Sequence, residues 1–175
     1  MRLHPIEALV RAEKWVAARK AIEKALVSRP DDHWLLTRLG LTYYELGDYS
    51  TALSHEKRAL AIAPKCPLVL WDYAGTLQML GRHREAIDVY RTLVRRGPKR
   101  IAKGPCGEGL ARARGLVADC HYRVADSLHA LNRRKEALVE CDAHLKMRGP
   151  GCQSIYKLGQ LAKFERARRN RRASA

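Results

Sequence analysis

The chain has 175 residues, 46% of them hydrophobic and 6% aromatic, a length and composition that suit one domain with a continuous core. No run approaches the roughly 18 apolar residues of a membrane span, and Met1-Arg2-Leu3-His4-Pro5 opens no signal peptide, so a cytoplasmic protein with no membrane partner is expected. Thirty-four Lys and Arg against 18 Asp and Glu leave a net charge of +16, and five cysteines without a short pairing motif are expected to be reduced thiols rather than a disulfide framework.

In chain order, a first unit covers about residues 1–32. Part of one helix precedes Trp15, Ala18, Ile22 and Ala25 of a second, which ends before Pro30. The next unit, 33–66, reads Leu36-x2-Leu39-Gly40-x2-Tyr43, then Gly47-x-Tyr49-x2-Ala52, Ala59 and Pro64. The third, 67–98, reads Leu70-x2-Tyr73-Ala74-x2-Leu77, then Gly81-x-His83-x2-Ala86-x3-Tyr90-x2-Leu93 and Pro98. Pro30, Pro64 and Pro98 stand 34 residues apart, and the pairs Gly47/Gly81 and Ala52/Ala86 keep the same interval. Apolar spacings of three and four put these residues on helix faces. Gly47 and Gly81 fall where a first helix ends, because glycine adopts a left-handed C′ conformation readily. Each proline then ends a second helix. Gly40, Ala52, Ala74 and Ala86 are small where two helices must cross closely. Each unit is therefore expected to be a helical hairpin that stacks on its neighbours.

Residues 99–115 break the period with four glycines. The first half reads as a loop by composition. From about Glu108, Leu110, Ala113, Val117, Cys120, Val124 and Leu128 restore helical spacing, so a long first helix should run to about Leu131. With this insertion allowed, His121-x2-Val124-Ala125-x2-Leu128, Asn132, Ala137-x3-Cys141-x2-His144 and Gly149-Pro150 form a fourth unit, 116–150. Ile155-x2-Leu158-Gly159-x2-Ala162 begins a helix with no partner, and residues 154–166 are expected to cap the stack. The solenoid then forms a single domain over 1–166, followed by a basic tail at 167–175.

Period and residue types together resemble the tetratricopeptide repeat family. The resemblance implies an all-α, right-handed superhelical solenoid whose first helices line a concave groove for an extended peptide or a partner helix. Carried over by position, that groove would present Trp34, Arg38, Leu41 and Tyr44, then Trp71 and Asp72, then Tyr122, Arg123 and Asp126, and Tyr156 from the cap. Aromatic and arginine side chains often dominate binding energy, and Arg38 and Arg123 would favour acidic segments. The partial repeat at the N-terminus offers a face for self-association. The family members that clamp a terminal carboxylate use Lys and Asn at groove positions held here by Thr37, Leu41, Trp71 and Gly75, so a chaperone co-factor is not expected.

The positive charge clusters. Arg95, Arg96, Lys99, Arg100, Lys103, Arg112 and Arg114 face a single acid, Glu108, and residues 157–172 carry seven more basic residues against Glu165. An adaptor that binds nucleic acid through these clusters is the alternative to a protein partner, although only Phe164 offers a stacking aromatic near the tail. Gly104-Pro105-Cys106-Gly107-Glu108-Gly109 lacks the Gly-Lys-Ser/Thr ending of a phosphate loop and carries an acid in its middle. Cys120, His121, Cys141 and His144 are metal-ligand types, but no CxxC knuckle fixes them, and Cys120 and His121 point about 100° apart on one helix. No catalytic residues, metal or cofactor are expected.

Overall fold

The computed structural model describes residues 5–161 and 164. Among these there are eight α-helices and no strand. The chain divides into two compact units, Met1–Gly81 and Arg82–Ala175. The first holds α1 (Pro5–Arg11), α2 (Trp15–Ser28), α3 (His33–Glu45), α4 (Tyr49–Ile62) and α5 (Pro67–Met79). The second holds α6 (His83–Lys103), α7 (Leu110–Ala130), α8 (Arg134–Met147) and a 3-10 segment, Leu158–Leu161.

Local chemistry sets the starts of α3, α4 and α5. Asp32 Oδ1 accepts from the backbone N–H groups of Trp34 (3.0 Å) and Leu35 (3.1 Å), capping α3. Asp48 caps α4 by accepting from Thr51 N–H at 3.1 Å. Pro67 stands in the first turn of α5, where its missing donor and fixed φ do no harm.

The turns between paired helices share one geometry. Glu13, Gly47, Gly81 and Asn132 all have positive φ, at 53°, 81°, 72° and 58°. The residue after each of three of them donates back to the preceding helix, as Lys14 to Leu9, Asp48 to Tyr43 and Arg133 to Leu128 at 2.8–3.0 Å. This is the C-terminal motif that satisfies the last free carbonyls of a helix.

Packing follows the repeat. Ala18, Ala52, Ala86 and Ala137 are all 0–1% exposed. In the first unit, Ile6, Val10, Ala18, Ile22, Leu35 and Leu39 form one cluster, and Leu36, Ala59, Cys66 and Val69 a second. Each such Leu or Ile contributes about 1.5–3 kcal/mol by leaving water. A Cβ added to Gly40 would lie 2.8 Å from Glu56 Cγ and 3.3 Å from the Ala52 carbonyl oxygen, so the crossing of α3 and α4 requires glycine there.

Two stretches depart from the sequence reading. Residues 99–103 are helical rather than loop. Gly97 kinks α6 at φ 68° and ψ 163°, and Pro98 then sits at the start of a fresh helical segment, a place proline tolerates, while Ile101 is buried beneath it. Residues 152–157, which include the first four of the thirteen residues of the expected cap, are not helical. The remainder of the cap beyond Leu161, except Phe164, and the tail 167–175 lie outside the described residues.

Candidate functional site

The expected groove residues lie on α3, α5, α7 and the segment after α8. On α3, Trp34 and Leu41 are half-buried against the first core cluster. Arg38 lies one turn after Trp34, its guanidinium 5.7 Å from that ring, and its Nη2 is 3.2 Å from Glu7 on α1. Tyr44 meets Tyr49 edge-on at 5.3 Å. On α5, which packs beside α3, Trp71 and Asp72 are half-buried. Asp72 falls one 34-residue period after Arg38, so the two hold the same register on neighbouring helices with opposite charge.

The wall of α7 has a different state. Tyr122, expected at a groove surface, is 5% exposed. Tyr156 stacks on it at 3.9 Å between centroids and 20° between planes, Phe164 meets its edge at 5.9 Å, and Arg123 lies 5.7 Å over the Tyr156 ring. Asp119, 3% exposed, accepts from the Ser154 hydroxyl at 2.5 Å and from the Ile155 N–H at 3.0 Å. Burial raises the Asp119 pKa, against the opposing effect of those two hydrogen bonds. Arg148 donates to Ser154 Oγ at 3.2 Å and to the Tyr156 carbonyl. Gly115 has no Cβ where the backbone of Gln153 crosses α7. The chain's own residues 153–156 thus cover the part of the wall that includes Tyr122, while Asp126 is half-buried one turn further along α7.

Composition and apolar spacing do not reveal this covering. The apolar spacing of Ile155, Leu158 and Gly159 reads as helix, whereas Asp119 takes the Ile155 N–H and the Ser154 hydroxyl. The usable signal is that Tyr156 follows Tyr122 by one repeat period, which puts equivalent positions of adjacent units side by side.

The Cys and His residues of metal-ligand type on α7 and α8 are buried or hydrogen-bonded. His144 is fully buried, and its Nδ1, 2.7 Å from the Ala118 carbonyl, carries the proton of that hydrogen bond. Burial lowers the His144 pKa, and the Ala118 bond works against this. Burial pushes the Cys120 thiol well up, which disfavours the thiolate that a metal or a nucleophilic role needs. His121 Nδ1 is 2.7 Å from Glu140, and Arg91 reaches the same carboxylate at 3.5 Å. Burial would raise the Glu140 pKa, but His121 and Arg91 outweigh it and hold the group below its ordinary value.

The basic patch occupies the end of α6 and the start of α7. Arg95, Lys99, Arg100 and Lys103 are exposed, Arg96 is half-buried, Arg112 pairs with Glu108, and Arg114 is exposed.

Helical hairpins that repeat at 34 residues up to the 99–115 insertion, each with a positive-φ residue in its turn and a buried alanine in its second helix, define a helical repeat protein of the kind that serves as an interaction scaffold. Sequence profiles described as tetratricopeptide repeat match residues 6–67 and 43–103, together more than half of the chain. The chain belongs to the tetratricopeptide repeat family. No curated protein matches it in sequence. Among solved structures it is similar to the crystal structure of MamA protein, with 16% identity, 82% of this chain and 69% of that one covered, and a TM-score of 0.61. It is also similar to MamA AMB-1, at 24% identity, 83% and 76% coverage and a TM-score of 0.61. MamA 41-end from Desulfovibrio magneticus RS-1 gives 14%, 82% and 71%, and 0.63. At these identities the likeness shows the fold. No helix among the described residues is long and apolar enough to cross a membrane.

Proposed function

We propose that this chain is a non-catalytic interaction module that holds an extended peptide or a helix of a protein partner against the first helices of its repeats. The observation that carries the reading is the face shared by α3 and α5, where Trp34, Arg38, Trp71 and Asp72 combine half-buried aromatic rings with charges of both signs. Side chains of this kind anchor interfaces because they bury a large area at modest entropic cost. Arg38 and Asp72, at one register, would orient a segment that carries an acidic group near one end and a basic group near the other. Affinity capture from lysate with and without nuclease tests this. Protein partners retained after nuclease treatment support it, and their loss on nuclease treatment opposes it.

The basic patch supports a second reading, because Arg95, Lys99, Arg100 and Lys103 are exposed on the last turns of α6 with no acid among them. It assigns a nucleic-acid-associated adaptor role. The log of affinity for a single-stranded RNA should then fall steeply with log salt, and Lys99→Glu with Arg100→Glu should flatten the slope. Absence of binding at low salt leaves the patch as a solubilising surface.

A further inference from the structure

The wall of α7 is covered by the chain's own residues through a few specific contacts. A further repeat would lay a helix beside α7. Instead, the non-helical residues 152–157 lie there; side chains of α7 hold them by an N–H, a hydroxyl and an aromatic ring, and Arg148 at the end of α8 donates to Ser154 Oγ and the Tyr156 carbonyl. Asp119 takes the Ser154 hydroxyl and the Ile155 N–H together, a pairing that fixes both the backbone and the side chain at that point. Tyr122 stacks on the Tyr156 ring, and Arg123 lies near it as a cation. Between these two anchors the Ile155 side chain is 69% exposed, so the middle position is not read. The segment joins α8 through Gly149-Pro150-Gly151, where Gly151 has φ 77° and a Cβ at Gly149 or Gly151 would meet nothing within 4 Å. Residues 149–151 of that connection are exposed.

We propose that the Asp119–Tyr122–Arg123 wall is a binding site for an extended peptide bearing Ser or Thr two residues before an aromatic residue, and that Ser154–Tyr156 is its tethered occupant, which a partner segment of the same pattern displaces. This rests on the reading of the chain as a peptide-binding scaffold and specifies one partner chemistry for it. Because the hydroxyl faces a nearly fully buried carboxylate, the peptide must be unphosphorylated. A phosphate there would meet Asp119 as a like charge.

The test uses the full chain, a labelled peptide Gly-Cys-Gln-Ser-Ile-Tyr-Lys under reducing conditions, and a variant with Ser154→Ala and Tyr156→Ala that loosens the tethered copy. A tethered competitor acts at an effective concentration in the millimolar range, so the peptide should bind the double variant about tenfold or more tighter than the wild type. Adding Asp119→Asn to that variant should weaken binding about tenfold, since a charge-assisted bond becomes a neutral one. The phosphoserine peptide and a peptide with Ala for Tyr should not bind. If circular dichroism shows the double variant unfolded, Ser154→Ala alone, which removes one hydroxyl, takes its place. Equal affinity for wild type and loosened variant, absence of binding to a folded loosened variant, or binding indifferent to Asp119→Asn overturns the proposal. Partner capture that still depends on Trp71 in that case leaves the scaffold reading standing.

Discussion

Glu13 and Gly47 occupy the same position of successive turns, one 34-residue period apart, and both adopt positive φ, at 53° and 81°. For glycine that conformation is free of Cβ strain. For glutamate it costs on the order of 1 kcal/mol. Glu13→Gly should therefore stabilise the protein by about 0.5–1 kcal/mol, less the entropy that glycine adds to the unfolded chain. Gly47→Ala should destabilise by a similar or larger amount. Urea midpoints with unchanged m-values measure both, and a destabilised Glu13→Gly would show that the turn geometry is not limiting.

Ala52 is fully buried where α4 crosses α3, and its carbonyl lies within 3.3 Å of the place a Gly40 Cβ would take. Ala52→Leu should overpack this crossing and cost about 1–3 kcal/mol. Gly40→Ala should also destabilise, because the nearest atom, Glu56 Cγ, belongs to a buried side chain with little room to yield. Thermal unfolding of the two variants checks the crossing, and neutral outcomes at both would contradict the helix pairing.

Glu56 is 1% exposed in a place that the neighbouring units fill with Ile22 and Tyr90. Burial, with a further push from Asp72 and an opposing hydrogen bond from the Thr76 hydroxyl at 2.8 Å, raises its pKa from 4.5 to about 8. The folded state then holds this proton more tightly than the unfolded one. The resulting stabilisation is fully present below about pH 4.5 and is lost as pH rises through about 8. Glu56→Gln keeps the acceptor for Thr76 and removes the titration, so its stability advantage over wild type should grow across that window. Parallel pH curves for the two proteins would contradict the burial of an ionisable group.

Periodicity makes the hairpins legible in the sequence. Pro30, Pro64 and Pro98 mark the second-helix ends, Gly47, Gly81 and Asn132 mark the turns, and Ala18, Ala52, Ala86 and Ala137 mark the tight crossings, because each reflects a local backbone or steric demand. Glu13 hides its turn, since glutamate carries no left-handed preference. The helical residues 99–103 are hidden too, because glycine and proline together read as a break, although Gly97-Pro98 both ends one helix and permits the next. The covering of Tyr122 depends on Asp119 and Arg148 meeting Ser154 and Tyr156, and hydrogen bonds between separate segments leave no trace in apolar spacing.

Trp71 tests the scaffold reading most directly, because it is half-buried on α5 beside the register shared by Arg38 and Asp72. The measurement is partner capture by Trp71→Ala after nuclease treatment, with thermal unfolding of the same preparation. Retained folding together with capture weakened by about 2 kcal/mol, the size of a hot-spot aromatic, is the expected result. Capture equal to wild type by a folded Trp71→Ala protein, or unfolding with no separate loss of binding, would contradict a partner-binding face on α3 and α5.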